Sequence, residues 1–146
     1  MAEYVSYSSG PSSTRAKGPK MFKFGKYSFS TTEITHLTIS LIMISLTFMV
    51  LGRSSFSSGS NLVSFILIYF FSVGLGFLLH EMGHKLTAQY YGYISEFRAD
   101  FTMLIFAFLL AYFAGFVFLA PGAVMILGRL SRKENGIISV AGPLVN

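Results

Sequence analysis

Residues 62–92 read LVSFILIYFFSVGLGFLLHEMGHKLTAQYYG, and this stretch decides how the rest of the chain is read. Residues 62–79 are uncharged and strongly apolar, enough for a membrane crossing. The run passes without a breaker into His80-Glu81-Met82-Gly83-His84 and continues to Gly92, a residue suited to ending a helix. The pattern predicts one helix of about thirty residues, longer than a bilayer needs. The histidines fall near its far end, about 27 Å from Leu62 by helical rise. Lys85, Gln89, Tyr90 and Tyr91 are expected where the helix emerges at the interface, with Tyr93 extending an aromatic belt.

Upstream, Ser30-Thr-Thr-Glu33 has the form of a capping box, and an apolar run over 34–51 follows it. A helix from Thr31 to Leu51 would be about 31 Å long, enough for one crossing. Residues 52–61 (GRSSFSSGSN) form a polar connection. The whole chain supports this class. It has 146 residues, 12 % of them charged and 53 % hydrophobic. A soluble domain usually carries about 25 % charged residues. There is no cysteine, so disulfides and thiolate metal sites are excluded and any metal must use His, Asp or Glu. The net charge of +5 is concentrated early: Arg15, Lys17, Lys20, Lys23 and Lys26 precede the first apolar run. Beside a membrane segment, such a tail sets topology rather than binding nucleic acid. Residues 1–30 are therefore read as a disordered basic tail, and residues 31–146 as a membrane-embedded core.

The topology contains one conflict. A cytoplasmic N-terminus brings the second helix back, so His80 and His84 lie toward the cytoplasm. The third apolar stretch, 103–127, is interrupted by Gly115 and Pro121-Gly122. A full crossing would place Arg129, Arg132 and Lys133 outside. A re-entrant hairpin, or a short helix followed by a strand such as 123–127, keeps them inside, and such backbone needs protein or a watery cavity to shelter it. The rival is a tilted helix with a proline kink. The expected fold is thus an all-α membrane protein with a transmembrane helix core and a re-entrant, partly extended segment.

His80-Glu81-Met82-Gly83-His84 matches H-E-x-x-H. Residues four apart share a helix face, so both imidazoles can reach one ion. Glu81 flanks the ion and can take a proton from metal-bound water, then give it to the leaving amine. Ionisable groups ending so apolar a run point to function. Gly76, Gly83 and His80 share a face on which a neighbouring helix can approach closely. His36, the remaining histidine, is expected at the interface. Glu96, Asp100 and Glu134 are the downstream carboxylates that a third ligand could come from, although solvation at the surface explains Glu96 and Asp100 more simply. The phenylalanines between Phe101 and Phe118 are expected to face lipid or pack.

These motifs resemble the site-2 protease family of intramembrane metalloproteases. Phe77-Leu-Leu-His-Glu-Met-Gly-His-Lys-Leu-Thr-Ala-Gln-Tyr-Tyr-Gly92 looks like that family's apolar approach, H-E-x-G-H and following turn. Ala141-Gly142-Pro143-Leu144-Val145-Asn146 looks like the segment opening its next core helix. The resemblance implies zinc held by His80 and His84, Glu81 as catalytic base, and cleavage of a transmembrane substrate that lies extended beside a strand such as 123–127. It also implies a third ligand, an aspartate in an Asp-Gly pair on a later helix. Asp100 precedes Phe101 and does not match, so that ligand is expected downstream of Asn146, with the core incomplete at its C-terminus and the chain inactive by itself. The expected setting is a multi-pass cell-membrane protein whose partners are the bilayer and a membrane-protein substrate, with no nucleic acid. Substrate-binding residues and oligomeric state stay unassigned. Two other readings stand beside it: a non-catalytic membrane binding or scaffold protein, and another H-E-x-x-H protease taking Glu96 or Glu134 as its third ligand.

Overall fold

A computed structural model describes residues 20–55 and 61–146. Arg15 and Lys17 lie outside the described residues, as do residues 56–60 of the polar connection. The chain opens with a hairpin of β1 (Met21–Phe24) and β2 (Tyr27–Ser30). This corrects the reading of residues 21–30 as disordered tail. Gly25, at φ +62°, supplies the left-handed residue that a two-residue turn requires. The strands pair antiparallel from Met21↔Ser30 to Phe24↔Tyr27.

Helix α1 (Thr31–Leu51) starts where its signals placed it. The Ser30 hydroxyl accepts the Glu33 N–H at 3.0 Å, but the reciprocal half of the capping box is missing. The Glu33 carboxylate turns inward instead. A 3₁₀ turn (Gly52–Ser55) ends the segment. Helix α2 (Leu62–Tyr69) is capped by the Asn61 side chain, which accepts the Val63 N–H at 2.9 Å. One π turn (Phe70–Gly74) joins it to α3 (Leu75–Tyr90). At that turn Gly74 lets α1 approach: a Cβ there would sit 2.8 Å from Ser45 Oγ. Thr31–Ser55 and the continuous Leu62–Tyr90 are long and apolar enough to cross a membrane. Only 6 % of the apolar window of the second is buried within the protein, which is not how the core helix of a water-soluble domain behaves.

Gly92, at φ +85°, ends α3, with its N–H on Gln89 O and the Tyr93 N–H on Ala88 O. Strand β3 (Ile94–Ala99) follows, then α4 (Phe101–Ala114), capped by Asp100 and stopped by Gly115 at φ +64°. Helix α4 ends at Gly115 and the Pro121 carbonyl accepts the Asp100 N–H at 3.0 Å, so the chain comes back extended to where α4 began and the kinked-helix alternative falls. The chain then extends into β4 (Gly122–Leu127), antiparallel to β3 from Ile94↔Leu127 to Ala99↔Gly122. The short helix followed by a strand is the form observed. Gly122 is required there, because its φ is +143° and a Cβ would run into the Arg98 carbonyl. Ser131 and Glu134 form a complete capping box that opens α5 (Arg132–Val145).

The fold is mostly helical, but two two-stranded sheets correct the all-α expectation. Residues 94–99 form the inner strand of one of them. The core lies where α1, α3, α4 and this sheet meet. Leu37, Ile44, Phe77, Phe97 and Leu104 are buried together, with the Phe77 and Phe97 rings edge-to-face at 5.7 Å.

Candidate metal and catalytic site

The two imidazoles of the motif converge. His80 Nε2 and His84 Nε2 stand 3.1 Å apart across one helical turn, with ring planes at 82°. Two nitrogens bound to one tetrahedral zinc at about 2.05 Å each would be roughly 3.3 Å apart, so the pair fits two ligand positions with little movement. His84 Nδ1 lies 2.7 Å from Ile138 O. A carbonyl can only accept, so Nδ1 carries the proton and Nε2 keeps its lone pair for the ion. Beside His80 Nδ1, at 3.4 Å, is the Asn146 side-chain amide, whose oxygen could take the same role if the amide turns over.

Both of these contacts come from α5 and the residue that ends it. The close approach of that helix depends on two glycines. A Cβ at Gly83 would lie 2.7 Å from Ala141 O and 3.0 Å from Gly142 Cα, and one at Gly142 would strike the His84 ring. Gly83 therefore does what its position on the shared face suggested. Gly76 does not, because a Cβ there would meet nothing within 4 Å.

Glu81 is 8 % exposed, and its side chain makes no hydrogen bond among the described residues. It lines two clefts. One, about 310 Å³, is shared with His84, Val124, Asn135 and Ser139. The other, about 400 Å³, is shared with His80, Phe77, Pro121 and Asn146. A carboxylate between two clefts and beside both imidazoles is placed to handle a proton.

The strand pair is asymmetric in a way that bears on this site. The outward backbone groups of β3 are consumed by side chains. The Phe97 N–H donates to Glu33 Oε1 at 2.9 Å and the Ala99 N–H to His36 Nδ1 at 3.1 Å. Ser95 O accepts from Lys85 Nζ at 3.0 Å and Gln89 Nε2 at 3.2 Å. Opposite these three stand Ile126, Val124 and Gly122. Their outward groups on β4 have no strand partner among the described residues, and all three line the cleft of Glu81 and His84.

Lys85 and Gln89 are thus buried and not at the interface, a correction to the sequence reading. Lys85 Nζ is 2.8 Å from Glu33 Oε2, both side chains are fully buried, and the ammonium also lies over the Phe29 ring. The partner that draws Lys85 inward is 52 positions away and invisible to local pattern. Tyr90 and Tyr91 are exposed.

The candidate third ligands are occupied elsewhere. Glu96 pairs with Arg98 at 2.7 Å and accepts from Ser30 Oγ. Asp100 caps α4 through the Met103 N–H at 3.0 Å. Glu134 serves the α5 capping box and accepts from Tyr93 Oη at 3.0 Å. His36 holds the edge of β3 and meets the Phe101 ring edge-on at 5.1 Å. Among the described residues no third His, Asp or Glu joins His80 and His84. Asn135, Ser139 and Asn146 were not foreseen. Their spacings of four and seven, with Ile138 and Gly142 between, mark one face of α5, and that periodicity was readable.

Comparison with known proteins gives one relevant likeness. A Methanocaldococcus jannaschii protein named "Putative zinc metalloprotease MJ0611" is 43 % identical over 121 residues, which is 82 % of this chain and 59 % of the relative. The chain spans about three fifths of that relative's length. No protein-family profile matches the chain, and no solved structure does. The likeness supports the metalloprotease reading and suggests zinc.

Proposed function

We propose that this chain is the membrane-embedded core of a zinc metalloprotease of the site-2 type, which hydrolyses peptide bonds of membrane-protein substrates. The observation that carries the reading is the convergent Nε2 pair of His80 and His84, with buried Glu81 facing the cleft under the open edge of β4.

His80 and His84 would hold the zinc, and Ile138 O fixes the tautomer of one of them. A zinc ion bound there supplies Lewis acidity, lowering the pKa of a bound water and polarising a carbonyl. Glu81 accepts the proton of the attacking water and delivers it to the departing amine nitrogen. The third protein ligand is one that the described residues do not supply, since Glu96, Asp100 and Glu134 are engaged elsewhere. An extended substrate would pair with the outward groups of Gly122, Val124 and Ile126. A helical peptide bond is shielded, so unwinding onto a strand edge is what exposes it to attack.

Thr31–Ser55 and Leu62–Tyr90 cross the bilayer in this reading, with α4 and β4 re-entering from the side where α3 ends. Lys20, Lys23 and Lys26 then share the cytoplasmic side with Arg129, Arg132 and Lys133, which satisfies the positive-inside tendency. A non-catalytic scaffold is the rival, favoured by the two-ligand set among the described residues. Zinc binding and proteolysis in the protein and its Glu81→Gln, His80→Ala and His84→Ala variants separate the two. The protease reading expects Glu81→Gln to keep zinc and lose hydrolysis, and each histidine variant to lose both. Hydrolysis surviving in Glu81→Gln removes the mechanism, and zinc binding indifferent to both histidines removes the site.

A further inference from the structure

The β1–β2 hairpin has no part in the proposed chemistry, yet its composition and mounting are specific. Opposed residues of an antiparallel pair share a face. Phe22↔Phe29 and Phe24↔Tyr27 therefore make one face entirely aromatic. At its tip Phe24 is 72 % exposed and Phe22 46 % exposed, too much apolar surface for a segment meant to meet only water. Lys20 and Lys26 lie at the two ends of β1 and Lys23 stands on the hairpin's other face, and all three are exposed. Among the described residues the ion pairs are Lys85–Glu33 and Arg98–Glu96, so none of the three has a carboxylate partner there. The Lys26 ammonium lies over the Tyr90 ring at 4.0 Å, joining the hairpin to the exposed tyrosines that end α3.

The mounting is firm. The Ser28 N–H donates to Gln89 Oε1 at 3.1 Å, Gln89 Nε2 donates to Ser28 O at 3.0 Å, and the Thr31 N–H closes on Lys20 O. The hairpin is thus fixed between the first turn of one membrane-length helix and the last turn of the other. We infer that it is a docking surface for the headgroup layer of an anionic bilayer, with Phe22 and Phe24 seated among the upper acyl chains and the three lysines against lipid phosphates. Aromatic side chains favour that boundary, and each lysine near an anionic surface is worth about fivefold in binding. The inference rests on the membrane placement of Leu62–Tyr90 in the proposed function. It adds that the protein distinguishes anionic from neutral lipid, and does so through a segment that ends next to Gln89 and Lys85, which hold β3.

The chain has no tryptophan, so Phe24→Trp provides a single reporter. The protein is placed at one copy per nanodisc, in phosphatidylcholine with or without phosphatidylglycerol, and quenched with neutral acrylamide. The expected result is shielded, blue-shifted emission with phosphatidylglycerol. That shielding is lost in high salt, in phosphatidylcholine alone, and in Lys20→Gln/Lys23→Gln/Lys26→Gln, whose half-maximal response moves to a higher anionic fraction. Emission equally exposed in both lipids overturns the inference. So does emission equally shielded in both, which removes the charge recognition. Shielding that appears only with two copies per disc also overturns it, and assigns the face to a second copy of the chain. A protein that fails to enter discs at all removes the membrane reading itself, so the two failures are distinguishable.

Discussion

Lys85→Met would leave the Glu33 carboxylate in the core without its countercharge. In the intact protein Lys85 Nζ is 2.8 Å from Glu33 Oε2 and 3.0 Å from Ser95 O, and both side chains are fully buried. After the change Glu33 keeps only the Phe97 N–H, while Ser95 O retains Gln89 Nε2, so the new deficit is the charge itself. Breaking one side of a buried pair costs about 3–5 kcal/mol. Glu33→Gln is isosteric and can still accept from the Phe97 N–H, but it turns an amide donor or a neutral oxygen toward an ammonium, with a cost of about 3 kcal/mol by the same reasoning. Removing both charges together should cost less than the sum of the singles, leaving a coupling on the order of 2–4 kcal/mol. Unfolding by sodium dodecyl sulfate in mixed micelles, followed by far-ultraviolet circular dichroism on the four proteins, measures it. Singles within about 1 kcal/mol of the parent, the size of a surface ion pair, would refute the claim that this network is dry and structural.

The two glycines of α3 should part company. Gly83→Ala meets the Ala141 carbonyl and is expected to destabilise by about 1–2 kcal/mol despite its better helix propensity, whereas Gly76→Ala, with open space, should stabilise by up to about 1 kcal/mol in the same unfolding assay. Asn146→Ala removes the polar group beside His80 Nδ1 and should weaken zinc binding about tenfold or more, read by competition with a chromogenic chelator, with helical content unchanged. The start of α5 should be pH-sensitive. Hydrogen bonds from the Ser131 hydroxyl and N–H, and then from Tyr93, hold the Glu134 carboxyl below its ordinary range, and the same contact pushes the Tyr93 phenol up. A depressed carboxylate contributes stability above its unfolded pKa and loses it as pH falls through the folded one. Amide exchange at residues 132–136 should therefore accelerate at pH values below the usual carboxylate range, after correction for intrinsic rates, and Glu134→Gln should flatten that dependence.

How much of this was legible depended on how far each residue's partner lies along the chain. His80, Glu81 and His84 were readable because helical spacing alone brings them together. Thr31, Gly92 and Gly115 were readable because caps and breakers act within one turn. The hairpin was hidden by its own lysines: Phe22, Phe24, Tyr27 and Phe29 alternate around Gly25-Lys26, a strand pattern that the basic charge disguised as tail. Lys85 and Gln89 look interfacial by type and position, and only Glu33, Ser28 and Ser95, from other segments, explain why they are buried. The open edge of β4 was unreadable for the same reason. Ala123–Leu127 could be suspected as a strand, but which edge stays free is decided by Glu33 and His36 on a helix more than sixty residues before the β3 groups they hold.

The π turn at Phe70–Gly74 sets the phase of everything after it. Such a turn holds one more residue than an α-helical path of the same length, so the helix beyond it is rotated by about 100° relative to an uninterrupted one. Deleting a single residue between 70 and 74 would keep the hydrophobic length and every motif residue. It would also let the segment close into a regular α-helix of the same length, with His80 and His84 still facing Ile138 and Asn146 and Gly83 still against the helix it admits. Between Asn61 and His80, natural sequences of this kind are therefore expected to tolerate the loss of one residue at the turn and to resist it on the α-helical stretch from Leu75 to Leu79. Measured insertion and deletion tolerance across that interval would show where the helix keeps its count.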